Sequence, residues 1–162
     1  YFKNEFADKK IIIQYVRTNS LNLNARWIEA AYIEGNYTPL NSLNYVYDKT
    51  KEYSLFYCLA LLNSFLSNKY YRAYYTDVNV KPTYLSQLPI PKFPIQKQTP
   101  FITRVEKILS LKKKNQDTTS LEKEIDVLVY HLYELTYDEV KIIDKDFWLS
   151  EEEYRKIKTE KV

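Results

Sequence analysis

Gly35 is the only glycine in the chain. Loops that cradle phosphates need several glycines, because backbone N–H groups must approach the ligand with no side chain in the way. Neither a nucleotide phosphate loop nor a dinucleotide-binding fold can be built from one. Gly35 falls within Glu34-Gly35-Asn36, between two strand-like stretches, where a turn position of positive φ would require it. The other corners are left to polar stretches and six prolines.

The rest of the chain is organised around residues 53–75, YSLFYCLALLNSFLSNKYYRAYY. Leu55, Leu59, Leu62 and Leu66 recur at helical spacing, and Cys58, Leu61 and Phe65 widen the apolar face. The spacing predicts one largely buried helix. Its C-terminal end carries Lys69, Tyr70, Tyr71, Arg72, Tyr74 and Tyr75, cations and flat rings suited to a phosphate backbone and bases. Cations also suit the negative end of any helix, so the same residues serve an ordinary helix terminus.

Before this helix, residues 9–17 are short, β-branched and apolar, and read as a strand. Residues 18–24, TNSLNLN, read as a polar loop, residues 26–33 as a second strand with Trp27, and residues 37–47 as a third, interrupted near Pro39. After the helix, three prolines within residues 88–94 favour a stiff, extended connector. This divides the chain into an α/β recognition domain, 1–95, and a helical segment, 96–162. In the latter, Phe101, Val105, Ile108 and Leu109 form one stripe, and Lys112-Lys113-Lys114 ends it with the charge that a helix C-terminus prefers. Thr119-x-x-Glu122 is a capping box for a second helix with a seam of Leu121, Ile125, Leu128, Leu132 and Leu135. A short turn predicts that seam and stripe face each other in an antiparallel hairpin. Thr136-x-x-Glu139 opens a third helix, and Ser150 with three glutamates caps a last, frayed one. The predicted class is mixed α/β: a curved sheet with a central packed helix, then a C-terminal helical hairpin.

Catalytic chemistry is hard to find. Cys58 and His131 are the single residues of their types, so a His and Cys metal site cannot be assembled. His131 lies off the leucine seam and reads as a packing or surface residue. Glu139-Val140-Lys141 superficially matches the Glu-x-Lys of metal-dependent nucleases, but it lies in a capping box without an acidic partner on a neighbouring strand. These residues argue for binding. A net charge of +3, from 24 basic and 21 acidic residues, excludes a histone-like binder while leaving room for a local basic patch. No apolar run reaches the roughly 18 residues of a membrane span, and no signal-peptide pattern occurs. The expected setting is the cytoplasm, with no membrane partner. The first residue is Tyr and the sequence has no Met, which reads as a fragment of a longer protein.

Four phrases occur in order over residues 9–144. They are Lys10-Ile11-Ile12-Ile13-Gln14-Tyr15-Val16-Arg17; Leu61-Leu62-Asn63-Ser64-Phe65-Leu66 followed by Tyr70-Tyr71; and Leu85-Ser86-Gln87-Leu88-Pro89-Ile90-Pro91. The fourth is the tail Leu121-Glu122-Lys123-Glu124-Ile125-Asp126 with Val129-Tyr130-His131-Leu132-Tyr133-Glu134-Leu135-Thr136. Together they resemble the TaqI-like C-terminal specificity domain. The resemblance implies a target-recognition part of type IIG restriction–modification enzymes and related adenine-specific DNA methyltransferases. In that family a separate N-terminal domain binds S-adenosylmethionine and carries an Asn-Pro-Pro-Tyr motif, which this sequence lacks. The resemblance therefore implies no cofactor in this fragment, with S-adenosylmethionine held by a methyltransferase domain of the parent chain. Recognition loops in the family vary by nature, so no base contact transfers by motif.

The recognition surface is accordingly assigned from side-chain chemistry. Gln14, Arg17, Asn19, Asn22, Asn24 and Arg26 form one polar set, and Arg72, Tyr74, Asn79, Lys81 and Tyr84 another. Both follow predicted core elements, are too polar to be buried unpaired, and are expected on one face. Arg72 and Lys81 suit phosphates, while Arg17, Asn19, Asn22 and Asn24 suit base edges, Asn for adenine and Arg for guanine. Each alone reads equally as a solvated loop side chain. The expected partner is double-stranded DNA. The alternative is a protein-interaction module docking through the Tyr-rich edge and the helical hairpin, since aromatic residues favour such interfaces too.

Overall fold

The computed structural model describes residues 9–16, 26–35, 37, 41–47 and 51–161. Strand β1 (Lys9–Gln14) lies between β2 (Ala30–Glu34) and β3 (Leu43–Val46) in an open antiparallel sheet. Ile11 pairs with Tyr32 on one side and Val46 on the other. Ile11 and Ile13 are fully buried and Ile12 between them is half-buried, the alternation of a strand with one face on a core. Gly35 has φ +111°, and a Cβ there would come within 3.0 Å of the Tyr37 ring. The backbone angle is what calls for glycine, since the exposed Tyr37 ring can give way.

The strands are shorter than their apolar runs. Strand β1 ends at Gln14, and Arg17 lies outside the described residues. The second strand begins at Ala30, not at residue 26: the N–H groups of Trp27, Ile28 and Glu29 and the Trp27 carbonyl bond to amide side chains, while the Glu29 carbonyl accepts the Gln14 N–H of β1. The third is Leu43–Val46. Residues 38–40, where Pro39 was expected to interrupt it, lie outside the described residues.

The expected single helix over 53–75 is two. Helix α1 (Leu55–Asn63) and α2 (Phe65–Tyr74) meet at Ser64, whose ψ of 152° is extended. Ser64 ends one helix and starts the other. Its N–H and Oγ both donate to Leu61 O, while Oγ accepts the N–H of Ser67. Asn and Ser compete for backbone hydrogen bonds in this way, an effect invisible to apolar periodicity. A carboxylate from a distant helix completes the break, as Asp126 Oδ1 accepts the N–H of Phe65 at 2.7 Å.

The remaining elements are a short helix α3 (Pro82–Leu85), a 3-10 turn (Ile95–Gln98), α4 (Thr99–Lys112), α5 (Thr119–Leu132), α6 (Tyr137–Ile143) and α7 (Glu151–Lys161). Residues 88–94 between α3 and the turn carry no regular structure, as their prolines require. Fully buried Gln98 staples this connector, accepting from Ser54 N–H and donating to the carbonyls of Glu52 and Phe93. Helices α4 and α5 pack together, with ion pairs Lys112–Glu122 and Arg104–Glu124 in antiparallel order. Helix α4 packs still more on α1, so Val105, Ile108, Ile125, Leu128 and Leu132 join Leu59, Leu61 and the sheet in one core. A second cluster gathers Val127, Tyr130, Val140, Phe147 and Tyr154.

The capping box at Thr136 and Glu139 is present in both halves. The one expected at Thr119 is not: Thr118 stands at the N-cap position of α5 without capping a backbone N–H, its Oγ1 donating to the Glu122 carboxylate, while Asp117 accepts from Thr119. Four consecutive cap-capable residues, Asp117 to Ser120, made that position ambiguous. His131 is a packing residue, buried and stacked on the Tyr154 ring at 4.1 Å. No helix among the described residues is long and apolar enough to cross a membrane.

Candidate nucleic-acid interface

The amides of Gln14, Asn63 and Asn68 fix the chain after residue 26. Gln14 Nε2 donates to Trp27 O at 3.3 Å, and its Oε1 accepts the N–H of Glu29 at 2.8 Å. Asn68 Oδ1 accepts the N–H groups of Trp27 and Ile28 at 2.7 and 2.8 Å. Asn63 exchanges both bonds with Ala30, at 3.0 and 2.9 Å, as a strand residue would. Side chains of β1, α1 and α2 thus satisfy much of this irregular backbone, and the Gln14 N–H of β1 donates to the Glu29 carbonyl.

A second segment meets the chain before residue 17. Val16 forms an isolated antiparallel bridge with Asn79, and the Val80 N–H donates to Tyr15 O at 2.6 Å. Buried Asn44 supports this contact from β3 by donating to Val80 O at 2.6 Å. Asp77 accepts the Asn79 N–H at 2.9 Å and ion-pairs with Lys81. Its hydrogen bond and charge hold the Lys81 ammonium above the ordinary lysine value.

Aromatic rings connect the two segments. Tyr75 stacks on Tyr84 with centroids 4.4 Å apart, and Tyr71 meets both. Exposed Tyr74 leans on Tyr70 at 4.5 Å. Lys81 lies 5.6 Å from the Tyr84 centroid, and the Arg72 guanidinium 5.4 Å from that of Trp27. Helix α2 therefore carries, on one C-terminal turn and a half, the rings that hold the 79–84 segment and the cation that covers residue 27.

Of the second polar set, Lys81 meets Tyr84 and Asp77, and Tyr74 meets Tyr70. Arg72 is at Trp27, and Asn79 is at Val16. Arg17, Asn19, Asn22 and Asn24 lie outside the described residues. Gln14 does not join the group, because both ends of its amide hold backbone. The Arg26 guanidinium pairs with Glu122 of α5 at 2.9 Å. Burial acts against that carboxylate, yet Lys112, Thr118 and Arg26 together hold it below the ordinary glutamate value. Asn63 and Asn68 were missed as positioning residues. Their signal was two amides interrupting a leucine-rich helix, where an apolar or charged side chain is the usual choice.

Residues 1–90 match the family model of the TaqI-like C-terminal specificity domain. The match covers the sheet, α1, α2 and α3, and ends in the proline connector before α4. No curated protein and no solved structure matches the chain.

Proposed function

The chain belongs to the TaqI-like C-terminal specificity domain family, and from that membership we propose that it reads duplex sequence for a type IIG restriction–modification enzyme. A specificity domain is not catalytic by itself. In this reading a methyltransferase domain of the same parent chain binds S-adenosylmethionine and modifies adenine, and the enzyme works in the cytoplasm. The observation that supports the reading best is the placement of Arg72 at Trp27 and of Asn79 at Val16, with Lys81 beside Tyr84 and Asp77. In this reading cations set register on phosphates, while polar side chains meet base edges. Rigid brackets beneath such a surface keep its donors and acceptors from reorganising on binding, so less ordering entropy opposes the complex.

The test is capture of a randomised duplex pool on the immobilised chain, with sequencing of what is retained at low and at raised salt. An enriched motif whose retention falls steeply with salt is expected, since each neutralised phosphate releases counterion. A protein-docking module would retain no motif, and its own partner would bind with little dependence on salt. No enrichment at any salt concentration would overturn the DNA reading.

A further inference from the structure

Val16, two residues beyond β1, is 58% exposed, although the β-branched apolar residues of β1 are buried or half-buried. It stands directly opposite Asn79 in an antiparallel bridge. Opposed residues in such a bridge put their side chains on one face, about 5 Å apart. Val80 N–H to Tyr15 O flanks the bridge, which makes Val16 and Asn79 a pair without mutual hydrogen bonds, the geometry in which side chains come closest. The Asn79 backbone N–H is held by Asp77, and among the described residues its side-chain amide makes no hydrogen bond. Below the pair, the buried amide of Asn44 fixes the Val80 carbonyl. The result is a firmly supported pair of exposed valine methyls and an amide with both a donor and an acceptor to offer.

In the major groove, adenine presents the N7 acceptor and N6 donor that match an amide, and thymine presents a methyl group. A G·C pair offers no methyl, and its guanine edge has two acceptors in place of adenine's acceptor and donor. We propose that Val16 and Asn79 together read an A·T base pair within the recognised site, the Asn79 amide on adenine N6 and N7 and the Val16 methyls on the thymine methyl. This rests on the DNA-recognition reading above. It adds a residue pair, a base pair and a groove to that reading. Val16 is the member that polarity alone does not reveal, because an exposed valine carries no hydrogen-bonding group.

The experiment starts from the motif enriched in the pool and changes the DNA, so that the chain stays intact. Each thymine in turn is replaced by uracil, which lacks the methyl, and each adenine by 7-deazaadenine, which lacks N7. One thymine should prove sensitive, its replacement weakening binding roughly 4-fold, the value of one buried methyl. The adenine paired with it should prove sensitive too, by roughly 5- to 100-fold. Val16→Ala should bind the uracil and thymine duplexes equally, and Asn79→Ala should be indifferent to 7-deazaadenine at that pair. A motif without A·T pairs would overturn the proposal while leaving DNA recognition standing. So would equal responses of the wild-type chain and Val16→Ala to every uracil, or sensitivity only at adenines whose paired thymines are insensitive. If the pool yields no bound duplex, both the proposal and the reading beneath it fall.

Discussion

The side-chain oxygen of Asn68 accepts the Trp27 backbone N–H at 2.7 Å, supplying residue 27 with the partner that a neighbouring strand would otherwise provide. The same oxygen takes the Ile28 N–H, and the amide nitrogen donates to the carbonyls of Leu62 and Ser64. Asn68 is buried, so water cannot readily replace it. Asn68→Ala is expected to lower the unfolding free energy by roughly 2–4 kcal/mol, since more than one buried N–H would lose its partner. Urea titration of the chain measures this. A loss below about 0.5 kcal/mol would mean that the bracket is replaceable, as for an ordinary surface substitution.

Which parts of this arrangement are legible in the sequence follows from the range of the interactions that make it. Ile11, Ile12 and Ile13 declare a strand because they form a short β-branched apolar run. Leu59 and Leu62 declare a buried helix by their spacing, and Gly35 declares its turn through the backbone angle. The break at Ser64 is different. It depends on Asp126, more than 60 positions away in the chain, and on amides whose partners lie on another element. Local patterns cannot encode such partners, so the helix was read as unbroken and Trp27 as a strand residue. Cations and rings such as Arg72, Lys81 and Tyr84 can be picked out of the sequence by their chemistry, which needs no knowledge of the fold. The role of Gln14 was not legible, because its amide has the same composition whether it meets a base or the backbone of Trp27 and Glu29.

Asp126 makes stability depend on pH in the direction opposite to that of most carboxylates. Burial pushes its carboxyl from 3.8 up to about 6, although the Phe65 N–H and the Arg26 charge act to lower it. The folded state then binds the proton more tightly than the unfolded state between those two values. Stability from this group is full below 3.8, falls as pH rises towards 6, and stays low above it. The difference corresponds to about 3 kcal/mol. Asp126→Asn keeps an oxygen for the Phe65 N–H and removes the charge. It should melt higher than the wild-type chain at pH 7, with the gap closing towards pH 4. A wild-type chain that is the more stable at pH 7 would show that pairing with Arg26 outweighs burial.

Leu128 is 2% exposed and lies in the core shared by α1, the sheet, α4 and α5. Leu128→Ala should cost roughly 2–5 kcal/mol. Because that core runs through both sides of the proline connector, the loss should be felt on both sides. The chain has two tryptophans, Trp27 beside the sheet and Trp148 beyond α6. Single-tryptophan versions, Trp148→Phe and Trp27→Phe, give each side its own fluorescence signal. Both signals should report one denaturation midpoint, and Leu128→Ala should move both together. Two separate midpoints, with only the Trp148 signal responding, would mean that the helices fold as an independent unit.

Arg72 distinguishes positioning on phosphates from reading of bases. Its guanidinium is 5.4 Å from the Trp27 ring centroid, at the end of the chain segment that the amide brackets hold. A flat cation over an indole gains from the ring quadrupole and still presents N–H donors at its edge. If those donors meet a phosphate, Arg72→Ala should weaken binding to specific and scrambled duplexes about equally and lower the salt slope by about one. Removing the cation also uncovers Trp27, so Arg72→Lys serves as the control for the charge alone. It keeps the charge and therefore the salt slope, while losing the planar stack on Trp27. Competition titrations of specific against scrambled duplex over a salt series should show the slope restored in Arg72→Lys and lowered in Arg72→Ala, with discrimination nearly unchanged in both. Discrimination that collapses in both variants, with non-specific affinity intact, would make Arg72 a base-reading residue, and the phosphate assignment would then rest on Lys81 alone.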